Sequence, residues 1–407
     1  MRLYLKLAWR NIFRNKRRTF IAGTAIGIGL ASLILVDAIS LGMEENMLHS
    51  ATASFMGEGQ IHGEGFRSSF EMESCVIDAA SVMTNLSEEP IVARFTPRLL
   101  SYAMISSPAN VTGVSMVGID PNTEPGLSQI DEAVVEGTYL TPDGRRELVI
   151  GDKLAELMEV SLGDRVVLTT SQAHGGDLAQ EMFRVTGIFH FNIDAMDRAM
   201  VFTRLNVAQR MLNLEGDIHE IALKFVDGSG GADLDSFWEK YSKNGNEAVG
   251  WATLLPQLKM VFEFSDFSIL LVGIILFSVV ALGIVNTLFM SLYERMFEFG
   301  VMRAVGTRPF VMGRLVVFEA GALAAVSCLL GTILGWVVTY AFAQTGIDYT
   351  GIEYAGVTFR ELLYPVIQLE QYIQYPIAVF IFTIIIGIYP AWYAARMNAA
   401  RAMRRSF

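Results

Sequence analysis

The chain has 407 residues, of which 52% are hydrophobic and only 18% are charged, and its net charge at pH 7 is −11. This composition is too apolar for an ordinary water-soluble protein. The acidic balance also makes nucleic acid a poor partner. We therefore expect a protein of the lipid bilayer that binds no nucleic acid.

Four stretches without a charged residue are long enough to cross about 30 Å of hydrocarbon as helices that rise about 1.5 Å per residue. They are residues 20–36, 267–293, 320–347 and 371–395. Asp37 follows the first stretch and can snorkel, which lets that span continue to Leu41. Asp37 and Glu319, which precedes the third stretch, are both expected to lie at the membrane interface.

Lysine and arginine set the expected orientation. Residues 1–19 carry seven of these cations and no acid, the segment after the second span carries Arg295, Arg303 and Arg308, and the tail carries four arginines and no acid. The positive-inside rule places these three segments, and both termini, in the cytoplasm. The basic flank and the apolar run exceed those of a signal peptide, so the first span is expected to remain as an anchor.

These observations predict an α-helical membrane protein with four transmembrane helices, arranged one plus three, and a large α/β extracytoplasmic domain between the first two. The predicted segments are, in order, a cytoplasmic amphipathic helix (1–19), the first transmembrane helix (20–41), the extracytoplasmic domain (42–265), the second transmembrane helix (266–292), a cytoplasmic helix (293–312), the third transmembrane helix (313–345), an extracytoplasmic loop (346–372), the fourth transmembrane helix (373–393) and a cytoplasmic tail (394–407).

Strand and helix patterns alternate in the region 42–265. Runs rich in β-branched and aromatic residues predict strands at 111–119, 147–150, 165–170, 183–189, 199–203 and 218–226, and periodicity predicts helices at 152–160, 205–214 and 234–241. Residues 46–51 and 254–266 are expected to extend the first two spans as helical stalks, which can transmit movement where flexible linkers could not. Cys75 and Cys328 are not expected to pair, because one lies in this domain and the other in the third span.

Small residues recur four apart in two of the spans. The first span contains Gly23-x-x-x-Gly27 and Ala25-x-x-x-Gly29, and the third contains Gly331-x-x-x-Gly335. Such spacing lets helices approach closely in lipid. We expect Gly23, Gly27 and Gly29 to pack the first span against another subunit.

No motif in the sequence predicts catalysis or a metal site. The glycine-rich stretch 57–65 lacks the lysine of a phosphate-binding loop and is expected to be turn-rich or an edge strand. The five histidines, at positions 49, 62, 174, 190 and 219, are scattered, so no metal site is expected. The spans also hold too few polar residues for an aqueous conduit, which argues against a channel.

The segment 293–309 combines charge and apolar surface between two spans. Glu294 and Glu298 are four apart, on one face of a predicted helix, and apolar side chains cover the rest of its circumference. Gly306 is expected to end this helix, and Pro309 to prevent its continuation. An acidic and aromatic helix of defined length is suited to binding in a groove of a cytoplasmic protein.

Motifs at 294–295, 298–300 and 303–306, with others at both ends of the chain, together resemble those of one family, the FtsX/MacB-like ABC transporter permeases. The similarity is strongest at Glu294-Arg295, Glu298-Phe299-Gly300 and Arg303-Ala304-Val305-Gly306. The opening LAWRNIFRNKRRT, the external residues Gly137, Gly151-Asp152-Lys153-Leu154-Ala155 and Leu162-Gly163-Asp164, and the closing YPAWYAAR also look like family members. Met397-Asn398-Ala399 departs from the family, which more often has an acidic residue and proline there.

The resemblance implies one helix, an external core domain of two α/β lobes (a MacB-like periplasmic core domain) and then three helices. It also implies a homo- or heterodimer of permeases bound to two copies of a separate cytoplasmic ATPase, which holds the ATP and Mg²⁺, so no cofactor is expected in this chain. In such a mechanotransmission scheme the permease is not an enzyme, and motion of the ATPases moves the external domains. The residues implied for ATPase coupling are Glu294, Arg295, Phe297, Glu298, Gly300, Arg303 and Gly306.

The resemblance leaves three functions open for this expected inner-membrane protein. Its layout looks most like that of the LolC/LolE-type lipoprotein-releasing permeases, which pass lipoproteins to a periplasmic carrier. The alternatives are MacB-like efflux of peptides, toxins or drugs through a periplasmic adaptor, and FtsX-like regulation of a cell-wall hydrolase. An external domain of about 220 residues is larger than FtsX-type regulators carry, so regulation is the weakest of the three.

Overall fold

The computed structural model describes residues 16–144, 146–226, 234–350, 352–354, 357–358 and 362–397. The chain divides into two compact units. The helical unit comprises Met1–Asn46, Phe262–Tyr349 and Glu361–Phe407, and the sheet unit comprises Met47–Val261 and Thr350–Arg360. Most of the amphipathic helix predicted at 1–19, and most of the tail predicted at 394–407, lie outside the described residues.

The described elements follow in chain order. The helices are α1 Lys16–Ala51, α2 Phe66–Ser69, α3 Ala79–Ser87, α4 Asp152–Met158, α5 Asp194–Ala199, α6 Leu205–Leu212, α7 Asp235–Tyr241, α8 Trp251–Leu254, α9 Pro256–Glu294, α10 Met296–Ala304, α11 Pro309–Thr345 and α12 Gln371–Ala395. The strands are β1 Gly59–Gly63, β2 Val92–Ser106, β3 Val111–Ile119, β4 Val134–Gly137, β5 Glu147–Gly151, β6 Arg165–Ser171, β7 Leu178–Phe189, β8 Met200–Arg204, β9 Glu220–Phe225, β10 Asn246–Gly250, β11 Glu353–Tyr354 and β12 Val357–Thr358. A π-helical turn, Thr52–Met56, directly follows α1.

Four of the described helices, α1, α9, α11 and α12, are long and apolar enough to cross a membrane. α1 stays helical through Ala51, so the helical extension expected at 46–51 is confirmed. α9 starts at Pro256, inside the stretch expected to lead into the second span. Proline suits the first turn of a helix because the amide hydrogen that it lacks has no intrahelical acceptor there. The transmembrane boundaries themselves stay predictions.

Close backbone approaches hold α1 against two other helices of the helical unit. A Cβ atom added to Gly331 in α11 would lie 2.8 Å from the Gly27 carbonyl oxygen, and one added to Gly23 would lie 3.4 Å from the Ser327 Oγ atom. One added to Gly29 would lie 3.0 Å from the Val280 side chain in α9. We expected these three glycines of α1 to face another subunit, but they face helices of the same chain.

A closed ring of strand pairings forms most of the sheet unit. β2 pairs with β3, β3 with β8, β8 with β5, β5 with β7, β7 with β6, and β6 returns to β2. β2 makes this closure possible because its 15 residues change neighbours along their length: Val92–Arg98 pair with β9, and Met104–Ser106 pair with β6. Buried side chains of these strands form a core together with residues of α4 and α6.

A second lobe of the sheet unit extends from the ring in the order β2–β9–β1–β10 and has its own core with α3 and α7. We expected 57–65 to be turn-rich or an edge strand, but β1 pairs on both sides, with β9 and β10, and all five of its residues are buried. Glycine is required at its first position because a Cβ there would lie 2.4 Å from the Trp238 ring. Gly59 therefore serves close packing.

Candidate functional site

A break in the helix separates α9 from α10. α9 ends at Glu294, Arg295 leaves helical geometry with φ −105° and ψ 13°, and α10 begins at Met296. We expected Glu294 and Glu298 on one face of a single helix, but the break places them in two helices. The reason is visible at Arg295, whose side chain turns inward.

Arg295 takes part in a buried ion pair. Its Nη1 atom lies 3.2 Å from Oε2 of Glu319 in α11, and the two side chains are 10% and 9% exposed. Ser291 donates a hydrogen bond of 2.8 Å to the other oxygen of Glu319. The Arg295 guanidinium also lies 5.2 Å from the centre of the Phe299 ring. Its Nε atom lies 3.0 Å from Oε2 of Glu298, whose carboxylate is half-exposed. Glu319 is buried between helices, and its position at the membrane interface stays a prediction.

The end of α10 has the hydrogen bonds of a Schellman motif. The Thr307 amide donates to the Met302 carbonyl at 2.9 Å, and the Gly306 amide donates to the Arg303 carbonyl at 3.1 Å. Gly306 has φ +98°, a conformation that glycine adopts without a Cβ clash, so its expected role in ending the helix is confirmed. Pro309, expected to stop a helix, is the first residue of α11. α10 is therefore short because both its ends are fixed.

α10 has an inner and an outer face. Phe299 and Gly300 are buried, and Phe299 packs with buried residues of α9, α11 and α12, namely Leu292, Met312, Leu315, Val316, Ala391 and Ala394. On the outer face Phe297 is 51% exposed, Val301 40% and Val305 83%. Residues four apart share a helix face, so these three form an apolar stripe, and we call it the outer stripe.

The residues predicted for ATPase coupling therefore divide into two groups. Glu294, Phe297, Glu298 and Gly306 are exposed. Arg295 and Gly300 are buried, and Arg303 is half-buried and donates a hydrogen bond of 3.3 Å to the Thr307 carbonyl. The docking role of the exposed group stays a prediction.

Sequence reasoning missed the contribution of Ser291 and Glu319 to this site. The one available signal was that Glu319 stands at the edge of an otherwise apolar span, where an acid needs a partner. Val301 and Val305 were recognised as apolar surface, but their alignment with Phe297 was not. The four-residue spacing of these three positions would have revealed the outer stripe.

The chain that leaves α1 is fixed into the core of the sheet unit. Phe55, in the π-helical turn, packs on Phe202 with ring centres 5.6 Å apart and lies 4.0 Å from the Arg98 guanidinium. Arg98 is fully buried and pairs with Glu124 at 2.6 Å and Glu220 at 2.8 Å. Burial raises the pKa of the Glu220 carboxyl, although Arg98 acts in the opposite direction. The Ala53 carbonyl also accepts a hydrogen bond of 3.0 Å from the Gln129 amide.

Comparison with protein families identifies both halves of the chain. Residues 269–399 match the FtsX-like permease C-terminal model. Residues 19–235, more than half of the chain, match the MacB-like periplasmic core domain. The chain belongs to the family of FtsX/MacB-like ABC transporter permeases. The resemblance seen in the sequence motifs is thereby confirmed.

Individual relatives agree with this family. The chain is 25% identical over 341 residues to the lipoprotein-releasing system transmembrane protein LolC of Xylella fastidiosa, covering 78% of each protein. It is 21% identical over 393 residues to LolE of Haemophilus influenzae, covering 93% of each. It is 24% identical over 375 residues to the macrolide export ATP-binding/permease protein MacB of a Shewanella strain, covering 84% of this chain and 53% of MacB.

These findings establish the class of the protein. It is an ABC transporter permease of the LolC/LolE and MacB type, with apolar membrane helices and a large MacB-like periplasmic domain. Membership of this family implies that an ABC ATPase is its partner. Along the chain, the MacB-like match precedes the permease match.

Proposed function

We propose that this chain works by mechanotransmission in the inner membrane, converting ATP hydrolysis by a separate ATPase into movement of its periplasmic domain. In this proposal four helices cross the membrane, the termini and α10 lie in the cytoplasm, and the residues between α1 and α9 lie in the periplasm. The observation that carries the proposal is α10, which presents the outer stripe next to two acids while its inner face is packed against the ends of three long helices.

The outer stripe fits the role of an ATPase-binding surface. Exposed apolar side chains beside acids favour a groove with an apolar floor and basic rim, because burial stabilises the complex and charge fixes its orientation. We propose that two permease subunits, identical or different, each bind one ATPase copy in this way. ATP and Mg²⁺ bind to the ATPases.

Force applied at α10 has a rigid route into the membrane helices. Phe299 and the Arg295–Glu319 ion pair connect α10 to α9, α11 and α12, so α10 cannot move without displacing them. At the periplasmic side, Phe55 and Arg98 hold the end of α1 in the core of the sheet unit. Packed interiors transmit displacement because they are as dense as organic crystals.

Release of lipoproteins from the inner membrane is the transport activity that we propose. LolC and LolE are both named for a lipoprotein-releasing system, and the chain matches them over most of their length. A lipoprotein is held by acyl chains whose extraction costs about 0.8 kcal/mol per CH₂ group, so its release needs an external source of energy such as ATP. A periplasmic carrier would then receive it.

A charge reversal beside the outer stripe tests the coupling. Glu298→Lys is expected to abolish stimulation of the ATPase by the permease in proteoliposomes, because it opposes a basic rim. Glu239→Lys, at an exposed acid on α7 in the sheet unit, is the matched control and should leave stimulation unchanged. Stimulation at the wild-type level by Glu298→Lys would refute the assignment.

MacB-like efflux is the second candidate, because the chain matches MacB over 84% of its own length. The two functions differ in what the complex carries. Mass spectrometry of the complex extracted from native membranes should detect lipid-modified proteins if the chain releases lipoproteins. Unmodified peptides or small amphiphiles alone would favour efflux, and a co-purifying cell-wall hydrolase would favour FtsX-like regulation.

A further inference from the structure

Three side chains with metal-binding chemistry meet at one edge of the sheet unit. β5 and β7 are parallel neighbours, and Gly151 pairs with Phe189 at their carboxyl ends. The residues that follow, Asp152 and His190, therefore emerge side by side. Asp197 joins them from α5, and the ligand atoms of all three lie within 4.8 Å of one another.

Backbone packing brings α5 to this edge. A Cβ atom added to Gly151 would lie 2.0 Å from the Asp197 carbonyl oxygen, so the absence of a side chain at Gly151 allows the approach. Asp197 is fully buried, whereas Asp152 and His190 are each about one third exposed. The cluster thus has a closed side and an open side.

Each carboxylate is oriented toward the imidazole by a backbone amide. The Phe191 amide donates to Asp197 Oδ1 at 2.7 Å, and the Lys153 amide donates to Asp152 Oδ1 at 2.7 Å. The second oxygen of each carboxylate faces the imidazole. Asp152 Oδ2 lies 2.8 Å from His190 Nδ1, and Asp197 Oδ2 lies 3.5 Å from it. In metal sites, ligands are typically oriented by such hydrogen bonds to the atom that does not bind the metal.

The imidazole is also oriented from behind. His190 Nε2 lies 2.7 Å from Asn192 Oδ1, and this contact orients the ring. Nδ1 faces two carboxylate oxygens. Among the residues that the structure describes, neither His190 Nδ1 nor Asp197 Oδ2 makes a hydrogen bond, although both atoms are buried. A cation bound here would be within reach of one ligand atom from each of the three side chains.

The two nearby cationic side chains form their ion pairs with another acid. The Lys153 ammonium pairs with Asp194, and Arg198 also pairs with Asp194, at 3.4 Å. The spacing of the acceptors instead matches metal coordination. Two ligands bound to zinc at about 2.1 Å lie about 3.0–3.4 Å apart for bond angles of about 90–110°. The measured separations of 2.8 and 3.5 Å from Nδ1 bracket this range.

We propose that Asp152, His190 and Asp197 bind a divalent transition-metal cation, with zinc as the best match, at the carboxyl ends of β5 and β7. One nitrogen and two oxygen ligands suit zinc better than magnesium, which prefers an all-oxygen shell. The open side leaves a coordination position for water or for a group of a periplasmic partner. The sequence predicted no metal site, because its histidines are scattered and the fold alone brings His190 to the two aspartates.

The test is zinc titration of the full chain, purified in detergent without a histidine tag and treated with EDTA, against a competing chelating dye. We expect one saturable site per chain, and affinity for zinc lowered more than about 100-fold by His190→Gln. Asn192→Ala should lower it about 10- to 100-fold, as removal of an orienting partner does. Magnesium should compete poorly.

Two control variants separate this site from surface binding. Glu156→Gln changes an exposed acid on α4, and His174→Gln changes an exposed histidine elsewhere in the sheet unit. Both variants should bind zinc as the wild type does. His190→Gln and Asp152→Asn alter partly exposed residues, and monodisperse gel filtration of each establishes that it folds. Binding by folded His190→Gln at wild-type affinity, or no saturable binding by the wild type, would overturn the proposal.

Discussion

The Arg295–Glu319 ion pair gives the sharpest prediction about how α10 is held. At an effective dielectric constant of about 20, unit charges 3.2 Å apart attract by about 5 kcal/mol, and desolvation of both groups offsets much of this. Removing Arg295 leaves the Glu319 carboxylate buried without a cation, whereas removing Glu319 leaves Arg295 paired with the half-exposed Glu298. Arg295→Met should therefore lower the free energy of unfolding by about 3–5 kcal/mol, and Glu319→Leu should lower it by less.

The double variant separates pairing from packing. Arg295→Met with Glu319→Leu leaves no buried charge, so its stability should lie within about 1–2 kcal/mol of the wild type. Glu298→Gln removes only the half-exposed partner of Arg295 and should cost less than about 1 kcal/mol. Unfolding of the full chain by dodecyl sulfate in mixed micelles measures all four. A cost below about 1 kcal/mol for Arg295→Met, or a double variant as unstable as the summed singles, would refute the reasoning.

Two further predictions concern α1 and the sheet unit. Gly331→Leu should overpack against the Gly27 carbonyl, at a cost of about 1–3 kcal/mol, and so lower the melting temperature of the chain in detergent. Gly321→Leu is the control and should leave the melting temperature unchanged, because a Cβ at Gly321 meets nothing within 4 Å. Equal melting temperatures of the two variants would contradict the contact. Burial lowers the pKa of His62 from 6.5 to about 4. The neutral His62 therefore contributes stability that is present above pH 6.5 and lost as pH falls through about 4. Between pH 7 and 4, the free energy of unfolding of the wild type in urea should fall by about 3 kcal/mol more than that of His62→Gln. An identical pH dependence would show that His62 charges freely in the folded state.

The elements that sequence patterns predicted best are those whose signal is local. The run of β-branched residues at 111–119 coincides with β3, and four long apolar runs coincide with α1, α9, α11 and α12. The sequence did not predict β2, although this strand closes the ring. Pro97 and the charged Arg94 and Arg98 interrupt its pattern, and Arg98 is tolerated because two distant glutamates neutralise it. Such partners become visible only after folding.

The candidate site shows the same division. The position of α10 and its end at Gly306 follow from composition and glycine chemistry, so both could be predicted. The inward turn of Arg295 could not, because its partner Glu319 is 24 residues away in the next long helix. The metal cluster likewise depends on distant residues, because His190 and Asp197 lie 38 and 45 positions after Asp152. Parallel pairing of β5 and β7 brings them together.

The central claim is that nucleotide-driven motion received at α10 moves the periplasmic domain. It is tested most directly by electron spin resonance distances between a spin label at Leu178→Cys, an exposed position of β7, and a label on the external domain of the second permease subunit. Cys75 and Cys328 are first replaced by serine. The account predicts that ATP shifts this distance in the complex and that Glu298→Lys abolishes the shift. A distance unchanged by ATP, or a shift that persists in Glu298→Lys, would contradict it.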